Sequence, residues 1–490
     1  MRALISTLPR RLGWSMLVFS LVFGLALWSV SQAISLDDPI EGEMLVKRLL
    51  LMPGLSALAV LLFLSACASK PLATAPAIVA TPEASTKPYM AQVVGVQWLN
   101  PLQRRDYSTE WQLLWTLGLA KPNKDDSKVK ENPERFGKVQ SIGMIAAGHE
   151  GRETFEGYHE KYAFELITHF RDIYFSSEEY FYNAHSLTDK STRRELAGIH
   201  VEYALPAGRP DLAGAGNYVQ DTIRRAFSIG NPNFPNSWTT PTLPDVRVTM
   251  GGANAGFTSL AAGLAYLQAH PDKTVWVMSW DAPSYPPKDE QINENMVLLV
   301  LAGPDYKTER APLAWLGFPA SRTVADFTAT KGSPPRIVQA WNAAIEDAAR
   351  NAQRSDGDIS YVIHDAGNTH PASSDRIGPL AQSLTEQLPE FDFNKQTFNL
   401  PALLGETGAG TALTNVALAI GYANHVGGAV LVAGASEAQQ VTALVVAPPA
   451  VIRPIDHDKA WFRARGGNTV FLPWWGLRYD ARPGSQGYSR

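Results

Sequence analysis

Residues 246–279 read VRVTMGGANAGFTSLAAGLAYLQAHPDKTVWVMS, and this stretch decides the predicted fold. It begins with a short strand rich in β-branched residues, 246–250, which leads into a turn of small residues at 251–256. A helix is expected at 257–269 because leucines recur along one of its faces, and the apolar segment 274–279 follows as a buried strand. The order of strand, glycine-rich turn, helix and strand predicts a layered α/β domain with a buried sheet.

The same alternation continues towards the C-terminus. Further strands are predicted at 296–302, 359–364, 429–433 and 441–446, and further helices at 335–352 and 411–424. Upstream, an aromatic-rich region carries predicted strands at 91–97 and 198–205 and predicted helices at 109–119 and 160–170. Prolines crowd residues 232–244, which predicts a boundary between an N-terminal α/β domain at 89–240 and a C-terminal domain at 241–490.

The composition excludes several classes of protein. The chain has 490 residues, of which 45% are apolar and 18% charged, a balance typical of a large folded protein. A net charge of −4 provides no basic surface for nucleic acid. The one cysteine, Cys67, leaves no intramolecular disulfide, no thiolate metal cluster and no cysteine nucleophile in the body of the chain.

The first 69 residues are predicted to attach the protein to a membrane. Two apolar runs, 12–34 and 49–66, are each about 20 residues long, which is enough to cross a bilayer core of about 30 Å. Basic residues precede each run. A tether rich in Pro, Ala and Thr follows at 70–88.

Two interpretations of this anchor remain open. If both runs span the membrane, the positive-inside rule returns the body to the cytoplasm. If translation starts at Met44, residues 44–64 form a signal peptide, and Leu64-Ser-Ala-Cys67 resembles a lipoprotein processing site with Cys67 as the lipidated residue. The second interpretation predicts a periplasmic lipoprotein.

The C-terminal half resembles the thiolases and ketosynthases. Residues 249–279 are similar to the segment in which a nucleophilic cysteine begins a buried helix, and 361–371 (YVIHDAGNTHP) to a strand and loop that carry a histidine. Residues 404–415 (LGETGAGTALTN) are similar to the turn that places a second histidine before a helix. The resemblance covers about residues 246–448 and implies a thiolase-like α/β/α architecture.

The chain departs from that family at each position that carries chemistry. Ala253 and Asn254 stand in the nucleophile region, His364 or Asp365 in place of the first histidine, and Glu406 in place of the second. Condensing enzymes need a thiolate to hold the acyl group and imidazoles to activate it. The resemblance therefore implies a degenerate fold without a catalytic residue, a metal or a cofactor. An acyl-thioester enzyme with a non-cysteine mechanism is the alternative.

Over its whole length the chain resembles the type VI lipase adapter proteins of proteobacteria. The resemblance is carried by the aromatic N-terminal half, the stretch GMIAAGHE at 143–150, the degenerate C-terminal half and the N-terminal anchor. It implies an adapter whose partners are a phospholipase toxin and the spike of the type VI secretion machine. A cytoplasmic body is then expected because loading precedes export. A membrane-anchored immunity protein is a further alternative.

Other patterns are weaker. The His and Glu residues at 149–160 lack the spacing of a zinc protease, and 405–410 lacks the lysine of a nucleotide-binding loop, so a helix cap at Thr407 or Thr411 is expected there. The tail LPWWGLRY at 472–479 contains residue types enriched in interface hot spots. Its aromatic residues form a candidate partner-binding surface, namely Trp474, Trp475 and Tyr479.

Overall fold

The computed structural model describes residues 88–100, 109–120, 124–125, 127–131, 133, 154–176, 199–232, 242–282, 294–307, 311–367 and 372–455. The predicted membrane runs, Cys67, the tether before Pro88 and the aromatic tail with Trp474, Trp475 and Tyr479 lie outside these residues. Within the described ranges, none of the helices combines the length and the apolar character needed to cross a bilayer.

The first part of the described chain forms one structural repeat, which we call repeat 1. Its strands are β1 (Met90–Leu99), β2 (His200–Pro206), β3 (Asp245–Gly251), β4 (Thr274–Asp281) and β5 (Asn295–Ala302). Its helices are α1 (Thr109–Thr116), α2 (Ser127–Glu131), α3 (Phe155–Ser176), α4 (Leu212–Ala226) and α5 (Ala255–Ala269).

The second part, repeat 2, presents its elements in a similar order. Its strands are β6 (Ala314–Gly317), β7 (Ala320–Thr323), β8 (Ile359–His364), β9 (Thr397–Asn399), β10 (Ala429–Gly434) and β11 (Gln440–Ala447). Its helices are α6 (Arg336–Asn351), α7 (Ala372–Gln387), α8 (Leu400–Leu404) and α9 (Thr411–Val426), with a 3-10 turn at Gly408–Gly410 before α9.

The two repeats share one mixed sheet, in which the described strands follow the order β3-β2-β4-β5-β1-β6-β11-β10-β8-β9, with β7 also paired to β11. In repeat 1, β2 pairs in parallel with β3 and β4, while β5 is antiparallel to β4 and β1. Repeat 2 mirrors this order: β8 is parallel to β9 and β10, and β11 is antiparallel to β10 and β6. The repeats join where β1 pairs with β6.

Helices cover both faces of this sheet. Helices α3 and α4 pack on one face of repeat 1, and α6 and α7 pack on one face of repeat 2. The other faces are covered by α5 and α9, which also contact each other. Because α5 carries no charged side chain and α9 only a histidine, both helices suit a position buried on several sides.

Glycine permits the close approach of the two central helices. A Cβ added to Gly256 of α5 would lie 3.0 Å from the Cβ of Ala412 on α9. A Cβ on Gly263 would lie 3.0 Å from Val277 on β4. The small residues in the stretch that decides the fold therefore bring α5 against both a helix and a strand.

The α/β fold class predicted from the sequence is confirmed. The predicted strands at 246–250, 274–279 and 296–302 lie within β3, β4 and β5, and α5 begins two residues earlier than predicted. The boundary predicted at residues 240 and 241 falls inside repeat 1, between α4 and β3. The strands β2 and β3, which lie before and after it in the chain, pair with each other.

Candidate functional site

The predicted site residues converge on the carboxyl ends of β8 and β10. His364 ends β8 and lies opposite Ala433 of β10, while the Asn254 amide oxygen lies 2.6 Å from the place where Gly434 would carry a Cβ. Glu406 Oε1 lies 3.9 Å from the corresponding point on Gly367, in the loop after β8. The start of α5, the loop before α9 and the ends of two strands therefore meet at one edge of the sheet.

Asn254 occupies the N-cap position of α5, next to the half-buried Ala253. Its side chain makes no capping hydrogen bond, is 7% exposed, and neither its amide nitrogen nor its amide oxygen has a hydrogen-bond partner. The space that it fills exists because residue 434 is glycine: a Cβ there would also lie 2.8 Å from the Phe257 ring. A buried amide can position a polar group, but it cannot form a thioester.

His364 is buried and neutral. Its Nδ1 accepts a hydrogen bond from the backbone N–H of Ala366 at 3.3 Å, so Nε2 carries the ring proton. Burial lowers the pKa of His364 to about 4. An imidazole with so low a pKa is a weak general base at neutral pH.

Asp365 ties two loops together. One carboxylate oxygen accepts from the Ala435 N–H at 2.5 Å, and the other accepts from the Ser436 hydroxyl at 2.6 Å. Burial raises the pKa of Asp365, against these hydrogen bonds. Both oxygens thus hold the loop after β10, and neither is bonded to His364, which differs from the arrangement of a catalytic pair.

Glu406 is exposed, in contrast to the two buried residues at the end of β8. The helix cap predicted at Thr407 or Thr411 was wrong, because neither α9 nor the preceding 3-10 turn has a side-chain cap. The two hydroxyl groups lie 2.8 Å from each other instead. A single carboxylate from repeat 1, Asp281, takes over the capping role.

Asp281 is the last residue of β4 and is 1% exposed. One of its oxygens accepts from the N–H of Ala409, in the turn that begins α9, at 2.9 Å. The other accepts from the Ala282 N–H at 2.8 Å and from Arg209 at 3.2 Å. Burial raises the pKa of Asp281 to about 6, and the hydrogen bond from Ala409 is the largest opposing effect.

Arg209 completes this contact between the repeats. Its guanidinium lies 4.2 Å from the centre of the Phe155 ring, in addition to its ion pair with Asp281. The sequence reasoning missed both charged residues. The available signal was an acidic side chain directly after a buried apolar strand, where side chains at the ends of neighbouring strands come together.

The remaining candidates do not form a second centre. Among the described residues, no group of three His, Cys, Asp or Glu side chains could hold a metal ion. His159, the part of the 149–160 pattern that is described, is buried on α3 and lies 3.0 Å from the Tyr203 hydroxyl, and burial lowers its pKa to about 4. Ser259 is buried within α5, and its hydroxyl has no partner.

Comparison with solved structures returns, among others, a ketosynthase domain and an acyltransferase. The oxazolomycin ketosynthase domain OzmH KS8 of Streptomyces albus JA3453 is 12% identical, with a TM-score of 0.43, and the match covers 77% of this chain and 100% of that chain. The acyltransferase ChlB3 is 16% identical, with a TM-score of 0.44, over 75% of this chain and 99% of that chain. Structural similarity at these identities and TM-scores gives no information about the activity of this chain.

The sequence comparison is more specific. No curated protein matches the chain. Residues 324–448, which begin after β7 and end after β11, match the family model described as type VI lipase adapter protein Tla3, C-terminal. This match spans about a quarter of the chain and confirms, for its C-terminal part, the resemblance to the type VI lipase adapters predicted from the sequence.

Proposed function

We propose that this protein is a non-catalytic adapter that binds a phospholipase effector and helps to load it onto the type VI secretion spike. The observation that carries the proposal is the match of residues 324–448 to the C-terminal family of a type VI lipase adapter. The effector and the spike protein are the two expected partners.

The chemistry of the sheet edge supports a role without catalysis. The positions that would carry a nucleophile hold Ala253 and Asn254, and neither side chain can accept an acyl group. The low pKa of His364 and the use of both Asp365 oxygens in loop contacts remove the usual base and its orienting partner. What remains available for function is surface.

Membrane attachment is a further part of the proposal. The apolar runs 12–34 and 49–66 would hold the protein at the inner membrane with the body in the cytoplasm, where an effector is present before export. Lipidation of Cys67 would instead place the body in the periplasm. Protease treatment of spheroplasts distinguishes the two, because a cytoplasmic body stays intact while a periplasmic body is digested.

Two partners require two surfaces. We assign one to the aromatic N-terminal half and the other to the tail residues Trp474, Trp475 and Tyr479. Aromatic anchors with polar rims suit a protein whose net charge is only −4. Replacing both tryptophans by alanine should weaken binding of one partner about thirtyfold or more, with little change in thermal unfolding.

The direct test is purification of the full chain together with a lipase toxin and a spike protein from the same secretion cluster. The proposal expects a complex with each partner, and no covalent adduct after incubation with acyl-CoA and intact-mass measurement. A lipase effector from an unrelated cluster serves as the specificity control. If the chain binds neither cognate partner, the adapter role is rejected. An adduct near residues 251–257 would favour the enzymatic alternative.

A further inference from the structure

The end of α9 and the chain after β11 form an exposed apolar surface. Among the described residues, the side chains of Val426, Val451 and Ile452 are 43%, 71% and 36% exposed. They lie together, because Val426 is the last residue of α9 and Ile452 Cδ1 is 3.2 Å from the place where the next residue, Gly427, would carry a Cβ. We call Val426, Val451 and Ile452 the aliphatic patch. Contiguous exposed apolar groups often mark a contact surface.

Two stacked tyrosines border the aliphatic patch. Tyr422 lies four residues before the end of α9 and is half-buried, and its ring stacks on that of Tyr361 in β8 with 4.2 Å between the ring centres. A Cβ on Gly428 would lie 3.9 Å from Tyr422 Cε1, so the glycine turn after α9 connects the tyrosines to the patch. The two rings extend its apolar surface.

The structure fixes where the C-terminal tail begins relative to the aliphatic patch. The Arg453 N–H donates to Asn424 O at 2.8 Å, and the Arg453 carbonyl accepts from His425 Nδ1 at 2.5 Å. The other ring nitrogen of His425 lies 3.0 Å from Glu110 Oε1 of α1. Ile455 then packs against the buried core. The chain is therefore held beside the patch up to its last described residue.

The sequence that follows contains apolar side chains that suit this surface. It continues for 35 residues beyond Ile455, and Trp474 and Trp475 of the segment LPWWGLRY, 472–479, come about 20 positions after that residue. A stretch of this length can reach up to about 60 Å, so the segment can return to the patch. Attachment to the same chain also keeps it near the patch at an effective concentration of about 1 mM, which favours contact within one chain over contact with another molecule.

We propose that residues 472–479 dock on the aliphatic patch of their own chain, through Trp474 and Trp475, as long as no partner is bound. The contact removes apolar surface from water on both sides. The inference rests on the proposed function in one respect, since the tail is the surface assigned there to a partner. Docking withholds the two tryptophans until that partner displaces them, so the patch sets the apparent affinity of the tail.

A photo-crosslink measures this contact directly. The probe p-benzoylphenylalanine in place of Val451 should leave the fold intact, because this side chain is 71% exposed. In the full chain, purified in detergent without a partner, irradiation should join residue 451 to residues 472–479 within one monomer, as read by mass spectrometry after proteolysis. Adding Trp474→Ala and Trp475→Ala should abolish this product.

The matched control is the same probe at Phe164 of α3, a position that is 54% exposed and belongs to repeat 1. It should not give the product with residues 472–479. Equal yields from the two positions, a product that joins two chains, a product with another part of the chain, or no product at all would overturn the inference. Because no partner is present, a failed crosslink leaves the adapter role standing, and a failure to bind the effector does not alter the crosslink.

The regulatory consequence has its own variant. Val451→Asp places a charge in the aliphatic patch and should release the tail. If about nine tails in ten are docked in the wild type, the partner that the tail binds should then bind about tenfold more tightly. The melting temperature should not change, since Val451 is exposed. Unchanged or weaker binding to this variant, by a partner that binds the wild type, would contradict the withholding of the tail.

Discussion

At the junction between the repeats, a carboxylate accepts a hydrogen bond at the N-terminus of α9, whereas a glycine lies against the N-terminus of α5. Asp281 and Gly434 are the last residues of β4 and β10, which hold equivalent places in the two halves of the sheet. Asp281 accepts an N–H at the start of α9, while Gly434 leaves room for Asn254, an amide without a partner.

The difference shows that two repeats with the same order of strands can use the equivalent strand end differently, in one case to hold the repeats together and in the other without such a bond. The contact made by Asp281 links β4 to α9 and to Arg209, so it holds the repeats together. The start of α5 has no comparable bond, although a buried amide without a partner is normally costly. We therefore expect the first junction to dominate stability and the second to tolerate change.

The largest effect should follow from Asp281→Ala. This change leaves the N–H groups of Ala282 and Ala409 without this acceptor and removes one ion-pair partner of Arg209. Leaving a buried hydrogen-bond donor without its acceptor typically costs about 1–3 kcal/mol, and Asp281 accepts from two backbone N–H groups as well as from the partly exposed Arg209. Urea denaturation at pH 7 measures the cost, and a loss below about 1 kcal/mol would contradict the importance of this contact.

The contributions of Asp281 and His364 to stability should also depend on pH in opposite directions. The pKa of Asp281 is raised from 3.8 to about 6, so protonation of its carboxyl group stabilises the fold, and this contribution of the proton is complete below pH 4 and is lost as the pH rises through 6. The pKa of His364 is lowered from 6.5 to about 4, so its contribution is complete above pH 6.5 and is lost as the pH falls through 4. Each of these two pKa shifts corresponds to a change of about 3 kcal/mol in the free energy of unfolding.

Neutral replacements separate these contributions. From pH 4 to 6.5, the stability of Asp281→Asn should rise relative to the wild type, whereas that of His364→Asn should fall relative to the wild type. Differences from the wild type cancel the effect of His159, whose pKa is also lowered by burial. Denaturation curves across this range provide the measurement, and parallel curves for all three proteins would refute the assigned shifts.

An intermediate effect is expected at Gly434. The Cβ of Gly434→Ala would lie 2.6 Å from the Asn254 amide oxygen and 2.8 Å from the Phe257 ring, and overpacking of this kind typically costs about 1–3 kcal/mol. Adding Asn254→Ala should restore part of the loss by removing one of the two clashes. A double-mutant cycle measures the coupling, and strictly additive effects would mean that the two residues do not compete for this space.

The smallest effect should be that of Asn254→Ala alone. The substitution removes two polar atoms that have no partner and leaves a small cavity, so the two consequences largely offset each other. We expect a change within about 1 kcal/mol in the free energy of unfolding at pH 7. A loss as large as that of Asp281→Ala would show that Asn254 makes a stabilising contact.

Much of the framework could be predicted because its signals are local. Strand β4 has a continuous apolar run, and the glycines before α5 mark the turn that begins the helix. The strands β6 and β7 were missed because each has only four residues, too few for a periodic pattern. Helix α4 was missed as well, although its apolar face contacts β3 in the same repeat.

The candidate site was only partly predictable. Asn254, His364 and Glu406 could be assigned through a family resemblance that follows the order of the chain. The contact of Asp281 with Arg209 and Ala409 spans 72 and 128 residues, and it depends on how two halves of a sheet come together. Similarly, the pKa shifts of Asp281 and His364 arise from burial, which residue type alone does not reveal.

An adapter works through its surface, so secretion of the effector should not depend on the side chains at the sheet edge. The most direct measurement is the amount of lipase toxin released by cells that lack this protein and carry either the wild type or the Asn254→Ala, His364→Asn double variant. We predict that both restore secretion equally, whereas the empty vector does not. If the double variant is folded and abundant but fails to restore secretion, the edge takes part in function and the non-catalytic adapter role is contradicted.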